Sequence, residues 1–302
     1  NPLSGLLGNL MIEQQIQRLQ HATFDDLPAL LAPLEKEMTG AYFDNCGTGG
    51  DGLSTFNIST TAAFVLAAGG VSVAKNGNGA ITSKSGSSDV LQALGIPCTP
   101  VQHVHETIEQ NNLAFLHAPS VQPLLQRVKR ARLLYQAPSI FNMIGPLTNP
   151  FPLRAQYVGI TNKKYLLPYA KQLRDLGRKR ALVITNETGM DEAGLVGVNT
   201  FVFYDGDIFR QGSFHASDYG FQPAPLKEIF GHDPKTNAHI VQRVLSGEKG
   251  APRDIVVLNS ALGFLAYGTV ASIEEGIELA RTCIDSNRAM EVFTQAKEGV
   301  VC

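Results

Sequence analysis

The chain has no tryptophan, few cysteines, no long apolar run and almost no net charge, and most of these shortages close off a class of protein. Cys46, Cys98, Cys283 and Cys302 are scattered without a C-x-x-C pair, which excludes a disulfide framework and fits a reducing cytoplasm. The longest small-apolar stretch, AAFVLAAGGVSVA at 62–74, is too short to span a bilayer and is interrupted by Gly69 and Gly70. The first residues hold no basic segment ahead of an apolar core and no cleavage-like site, so the expectation is a cytoplasmic protein that meets no membrane. Lys and Arg number 25 against 27 Asp and Glu, a net charge of −2, so no global basic field recruits nucleic acid. The local basic runs at 126–132 (QRVKRAR) and 177–181 (GRKRA) read as helix ends. With 44% apolar and 17% charged residues over 302 positions, the chain can bury the core of one large α/β domain, or of a large and a small domain.

What the chain does have is concentrated between Asp44 and Asp89. A glycine loop (GTGGDG), a helix start (FNIST), a strand and a second small-polar loop (TSKSGSS) follow one another there. Glycine lets backbone N–H groups close on a ligand, and a following helix N-terminus adds donors and a favourable dipole. Two such loops with Lys75 between them describe a cradle for more than one phosphate. Asn57, Ile58, Ser59 and Thr60 fall at the N-cap and first turn of the helix, where capping and anion binding use the same end.

Periodicity and punctuation place helices in the first forty residues, at Ser59–Ala68, Ser88–Leu94, His105–Asn111, Gln122–Tyr135 and Tyr165–Leu176. Three more are expected near Asp254–Tyr267, Ile273–Asp285 and Arg288–Lys297. Strands are expected at Phe43–Cys46, Val71–Lys75, Leu113–Leu116, Gln156–Ile160 and Arg180–Thr185, with a hairpin at Val202–Phe209 turning at Asp205-Gly206. Alternating strands and helices imply an α/β fold, a largely parallel central sheet flanked by helices on both faces.

Several motifs compete for the site. Gly47, Gly49 and Gly52 satisfy G-x-G-x-x-G, but a dinucleotide fingerprint needs the helix to open at once and an acidic residue about twenty positions on. Here LSTF delays the helix and the next strand carries Lys75, which suits phosphate. No G-K-[ST] follows, so a Walker loop is excluded. The pair Asp191-Glu192 follows the strand at Arg180–Thr185, and ligands of parallel sheets lie at the carboxyl ends of strands, so this loop should share the glycine loop's rim. Adjacent carboxylates repel, and Mg²⁺ relieves that repulsion while binding substrate phosphates. A solvated turn is the plain alternative for the pair. His103-x-His105 reads as surface, no Ser/His/Asp order suggests a nucleophilic triad, and Cys46 reads as a small buried residue at a strand end.

In order, CGTGGDG, FNISTTAAF, the K-x-G-N loop, SKSGSSDVLQALGI, IFNMIGPLTNP, GMDEAGL, VLNSALGFLAYG and SIEEGIELAR resemble the anthranilate phosphoribosyltransferases of tryptophan biosynthesis. The lack of tryptophan agrees with an enzyme made when tryptophan is scarce. The resemblance implies a small all-helical domain, here 1–40 completed by about 120–137, joined to an α/β domain formed by 41–119 and 138–302, and a homodimer made through the helical part. It implies transfer of the phosphoribosyl group of phosphoribosyl pyrophosphate (PRPP) to the amine of anthranilate, with Mg²⁺ and release of pyrophosphate. By motif, Gly47, Gly50, Asp51, Thr55, Asn57, Ile58, Ser59, Thr60, Lys75 and Ser87 would hold PRPP. Ser59, Asp191 and Glu192 would serve Mg²⁺, and Gly47, Asn78 and Arg132 would meet anthranilate. Lys75 would stabilise the transition state, and no general base is assigned.

The match has departures. The family's K-H-G-N-R loop is Lys75-Asn76-Gly77-Asn78-Gly79 here, with asparagine for histidine and glycine for arginine. Pro138-Ser139 stands where arginine-threonine is common, and the segment before GTGGDG is shorter than usual, which puts the expected dimer in question. Related transferases with another acceptor, nucleoside phosphorylases, and a nucleic-acid-binding homologue with weakened catalysis are the alternatives.

Overall fold

The computed structural model describes residues 41–77, 86–117, 143–206 and 208–299. The strands are β1 (Tyr42–Gly47), β2 (Val73–Gly77), β3 (Leu113–His117), β4 (Leu153–Gly159), β5 (Arg180–Asn186), β6 (Asn199–Asp205) and β7 (Ile208–Phe214). They form one sheet in the order β3-β2-β1-β4-β5-β6-β7. From β3 through β5 every pairing is parallel, while β6 and β7 are antiparallel. The helices are α1 (Ile58–Ala68), α2 (Ser87–Leu94), α3 (Val104–Asn111), α4 (Leu166–Asp175), α5 (Pro234–Leu245), α6 (Ala251–Tyr267), α7 (Ile273–Asp285) and α8 (Arg288–Glu298).

Strand alternation sorts the core into layers. Phe43, Val73, Phe115, Tyr157, Leu182 and Ile184 face the larger layer, with α1 and α6 at its centre. On the other face, Val158, Ala181 and Val183 pack under α4, and Ala74, Ala114 and Leu116 pack under α3. Helix α1 is apolar nearly all round because it is enclosed, touching α6, α8 and the sheet. It approaches α6 so closely that a Cβ on Gly263 would stand 2.8 Å from the Leu66 side chain, and one on Gly69 2.3 Å from Phe264. Glycine at these positions is what lets the two helices touch.

The parallel sheet and most elements agree with the sequence reading, and the differences have local causes. β2 starts at Val73 and runs on to Gly77, because Asn76 and Gly77 pair with Leu116 and His117 of β3. Lys75, expected at the strand end, therefore sits inside the strand. The hairpin is longer than expected on both arms, pairing Asn199 with Phe214 at its far end. Helix α5 is an addition. Its start is marked by Asp233, whose side chain accepts from the N–H groups of Lys235 and Thr236, and by Pro234 in the first turn. Helices expected within 1–40 and at Gln122–Tyr135, and hence the proposed small domain, lie outside the described residues, as does Pro138-Ser139.

Candidate active site

The carboxyl ends of β1, β2, β4 and β5 form a rim, and β1 delivers the glycine loop to it. Thr48 N–H donates to the Gly159 carbonyl at the end of β4 at 3.0 Å, and Gly49, Gly50 and Gly52 take left-handed φ of 68°, 80° and 71°. Those angles are cheap only for glycine, and they turn the loop back over the strand ends. Gly49 N–H then donates to Asp191 Oδ2 at 2.7 Å. At the start of α1, Ser59 N–H donates to Glu192 Oε1 at 3.1 Å. The acidic pair, more than 130 positions downstream (133 for Ser59 and Glu192), thus meets both the glycine loop and the helix start.

The approach is tight. A Cβ on Gly47 would lie 2.0 Å from Asp191 Oδ2, and one on Gly159 would lie 1.6 Å from the Asp191 carbonyl oxygen. The acidic loop is clamped from below by Asn259 of α6. Its Oδ1 accepts from Ala193 N–H at 3.0 Å and from the Tyr157 hydroxyl at 2.7 Å, while its Nδ2 donates to the Ala193 carbonyl at 3.0 Å.

Lys75 is buried between β1 and α1. Its Nζ donates to the Asn45 carbonyl and, at 3.3 Å, to Ser59 Oγ. Asn45 Nδ2 donates to the Ser59 carbonyl at 2.7 Å, closing the triangle. On the opposite face of the sheet, Asn149 from the GPLTNP loop donates to Asp44 Oδ2 at 3.0 Å and to the Ala74 carbonyl at 2.8 Å. Asp44 Oδ1 accepts the Asn76 N–H at 3.3 Å, so this buried carboxylate and amide tie β1 to β2 within the K-x-G-N motif itself.

Electrostatics single out the same place. Burial first, and the nearby Asp51 second, push the Asp191 carboxyl up to about 7. Glu192 is raised well above the ordinary range by burial, then by Asp191 and Asp51, with Lys75 opposing. Asp44 is raised by burial and pulled back by Lys75. The Cys46 thiol is held well above its usual value by burial and then by Asp44, which makes it a poor nucleophile, in keeping with its sequence reading.

Carboxylates crowded in a dry rim fit a hard divalent cation, which stabilises the ionised forms that burial and mutual repulsion disfavour. Among the described residues no group of three or more His, Cys, Asp or Glu is arranged to hold a metal alone. Mg²⁺ takes one or two carboxylates and completes its shell with phosphate and water, and the adjacent Asp191 and Glu192 are a donor set of that kind.

Of the residues nominated from sequence, Gly47, Asp51, Ser59, Lys75, Asp191 and Glu192 come together here. Gly50 lies in the loop, and Ser87 lies at the start of α2, its hydroxyl 2.3 Å from where a Cβ on Gly77 would be. Thr55 forms an isolated antiparallel bridge with Phe230. Ile58 and Thr60 are buried, and the Ile58 N–H donates to the Phe56 carbonyl, so Ile58 offers the rim its place beside Ser59 and no donor of its own. Asn57 stands at the N-cap, yet its side chain caps nothing, which corrects the expectation of a capping asparagine. The carboxylate at that helix end is Glu192. Asn78, Gly79 and Arg132 lie outside the described residues. Asn45, Asn149, Asn237 and Asn259 were not nominated. Asn149 and Asn259 stand inside motifs that carry the resemblance, but nothing local in those motifs names their partners.

Fold and site define the class of protein first. The model of the glycosyl transferase family, a/b domain, matches residues 39–290. An anthranilate phosphoribosyltransferase of Bacillus mycoides (strain KBAB4) is 48% identical over 260 residues, covering 85% of this chain and 76% of that protein. The crystal structure of the anthranilate phosphoribosyltransferase of Thermus thermophilus matches with a TM-score of 0.79 at 38% identity, covering 85% of this chain and 77% of that one. The Saccharomyces cerevisiae enzyme, solved in complex with PRPP and Mg, matches with a TM-score of 0.79 at 26% identity, covering 91% and 78%. The chain belongs to the anthranilate phosphoribosyltransferase family.

Proposed function

We propose that this chain transfers the phosphoribosyl group of PRPP to the amine of anthranilate, releasing pyrophosphate. The observation that carries the reading is the closure of the glycine loop and the α1 start on one acidic pair, through Gly49–Asp191 at 2.7 Å and Ser59–Glu192 at 3.1 Å. The diphosphate of PRPP lies along the glycine loop and the first turn of α1, held by Gly47, Gly50, Asp51, Thr55, Asn57, Ser59 and Thr60, with Ser87 across the rim. Ile58 contributes by placing Ser59. When bound, Mg²⁺ is held by Ser59, Asp191 and Glu192 and supplies positive charge to the phosphates.

The anthranilate nitrogen attacks C1 of the ribose as the bond from C1 to the pyrophosphate oxygen breaks, and the electron pair of that bond leaves with pyrophosphate. Charge accumulates on the leaving oxygen, so oriented N–H groups stabilise the transition state more than the ground state. Lys75 sets its ammonium group directly behind Ser59, where it adds to the same field. The nitrogen sheds its proton to solvent after attack, which needs no general base. Arg132 pairs with the anthranilate carboxylate, and Asn78 with Gly47 borders the acceptor, so that the amine is oriented toward C1.

The small helical part, 1–40 with about 120–137, forms a homodimer, and the protein works in the cytoplasm on small molecules with no nucleic-acid partner. No helix among the described residues is long and apolar enough to cross a membrane. The test mixes the protein with PRPP, anthranilate and Mg²⁺ and follows the loss of anthranilate fluorescence. PRPP binding without that loss assigns a different acceptor, which a panel of anthranilate analogues and nucleosides then identifies.

A further inference from the structure

Two buried asparagines from different elements each take both backbone groups of one residue, and the two residues are consecutive. Asn259 of α6 holds the N–H and the carbonyl of Ala193. Asn199, the first residue of β6, does the same to Gly194: its Oδ1 accepts from the Gly194 N–H at 2.8 Å, and its Nδ2 donates to the Gly194 carbonyl at 2.9 Å. A backbone N–H only donates and a carbonyl only accepts, so each amide has one orientation. Asn199 is 0% exposed and Asn259 2%, so water does not compete for these bonds.

Asn199 is itself held. Its Oδ1 also accepts from Asn186 Nδ2 at 2.9 Å, and the same Nδ2 donates to the Val196 carbonyl at 3.0 Å. Asn186 ends β5, so the two amides tie together the base of the loop that runs from β5 to β6. The packing is close, since a Cβ on Gly194 would lie 2.7 Å from Asn186 Nδ2. On the preceding side, the Asp191 carbonyl oxygen lies 1.6 Å from where a Cβ on Gly159 would be. Asp191 and Glu192 therefore stand between a tight backbone contact and two residues whose backbone polar groups are all engaged.

We propose that Asn199 is a positioning residue for the divalent cation: with Asn259 it fixes the backbone that carries Asp191 and Glu192, and that rigidity gives the site its preference for Mg²⁺ over the larger Ca²⁺. Mg²⁺ demands near-ideal geometry at short distances, whereas Ca²⁺ accepts flexible arrangements, so selectivity depends on how firmly the ligands are held. Adjacent carboxylates repel, and a backbone free to yield lets them separate. A pinned one keeps their spacing. The inference rests on the reading that Asp191 and Glu192 hold Mg²⁺.

The test is Asn199→Ala in the full chain. Mn²⁺ binding to the protein, alone and with PRPP, is read from the paramagnetic resonance signal of the free ion, corrected for PRPP alone, with Mg²⁺ and Ca²⁺ as competitors. Mg²⁺ is expected to bind about tenfold more weakly than to wild type, the scale seen when groups that orient metal ligands are removed. Ca²⁺ is expected to change by less than about threefold, so the preference for Mg²⁺ shrinks. The control is Leu173→Ala, which truncates a fully buried side chain of α4 under the other face of the sheet. It lowers stability but leaves the preference unchanged, because a merely structural loss does not sort one cation from another. If Asn199→Ala does not fold, Asn199→Ser, which keeps a hydroxyl at that position, is read in the same way. A wild-type protein without preference for Mg²⁺, an unchanged preference in the folded Asn199 variant, or an equal shrinkage in Leu173→Ala overturns the proposal alone. Wild-type protein that binds Mn²⁺ neither alone nor with PRPP overturns the reading of the site and this proposal with it.

Discussion

Gly47→Ala isolates the contact between the glycine loop and the acidic pair. Gly47 is not among the glycines with left-handed φ, so its backbone admits alanine without strain, and the whole effect comes from space. The added Cβ would lie 2.0 Å from Asp191 Oδ2, 2.7 Å from its Cγ and 2.9 Å from its carbonyl oxygen. All three atoms belong to Asp191, and one is backbone, so rotating the side chain does not relieve the clash. Ordinary contact requires the acidic loop to retreat by roughly 1 Å, a misplacement that typically costs about 10²-fold in rate. The Gly49–Asp191 bond, worth about 1.5–3 kcal/mol as a hydrogen bond to a charged group, is lost with it. kcat/KM for PRPP should therefore fall about 10²-fold. Because the acidic loop is also held by Asn259, the fold should survive with a loss of about 1–3 kcal/mol. The comparison is Gly49→Ala, where nothing lies within 4 Å and only the φ of +68° opposes a side chain. Its cost is about 1–2 kcal/mol of backbone strain. Steady-state kinetics by anthranilate fluorescence and thermal melting by circular dichroism read both variants. A Gly47→Ala protein within twofold of wild type, or one less impaired than Gly49→Ala, refutes the packing argument.

Other perturbations follow from the same geometry. Asn259→Ala removes the bonds to Ala193 and Tyr157 and leaves the Ala193 groups buried and unpaired, so stability should fall by about 2–3 kcal/mol in urea unfolding and Mg²⁺ dependence should shift to higher concentration. In metal-free protein the folded Asp191 carboxyl, near 7, keeps its proton where the unfolded chain has lost it. Stability is therefore lost as pH rises toward and through 7, by on the order of 1 kcal/mol between about pH 6 and 8. Melting with a chelator should show this slope and Asp191→Asn should reduce it, since Glu192, raised by the same burial, keeps a share of the same sign; a slope of opposite sign, or one unchanged in the variant, refutes the assignment. Asn76→His combined with Gly79→Arg restores the loop of the resembled family and should raise kcat/KM for anthranilate, and an unchanged value dismisses the loop's part in acceptor binding.

How much of this was legible in the sequence depends on how far each residue's partner lies along the chain. The glycine loop, the helix after it and the acidic pair could be read because each is a local pattern with a local reason, and the parallel sheet supplies a rule that puts strand-end loops on one rim. The reading failed where a partner is remote. Lys75 was expected to end its strand, but β3, some forty residues on, continues the pairing and turns the ammonium inward to the Asn45 carbonyl and Ser59. Asn57 was expected to cap, since asparagine favours that position, but Asn237 lies 180 positions away and takes the side chain. Asn149, Asn237 and Asn259 share this character. Each is a buried amide that bridges segments far apart in sequence, and a single buried asparagine has no periodicity to announce it. Buried amides must nonetheless be satisfied, so each specifies the placement of the backbone or side chain it touches more narrowly than an apolar residue would. The site is thus built in two layers with different visibility. Glycines and carboxylates, read locally, declare the chemistry, while asparagines, visible only in the fold, fix where that chemistry happens.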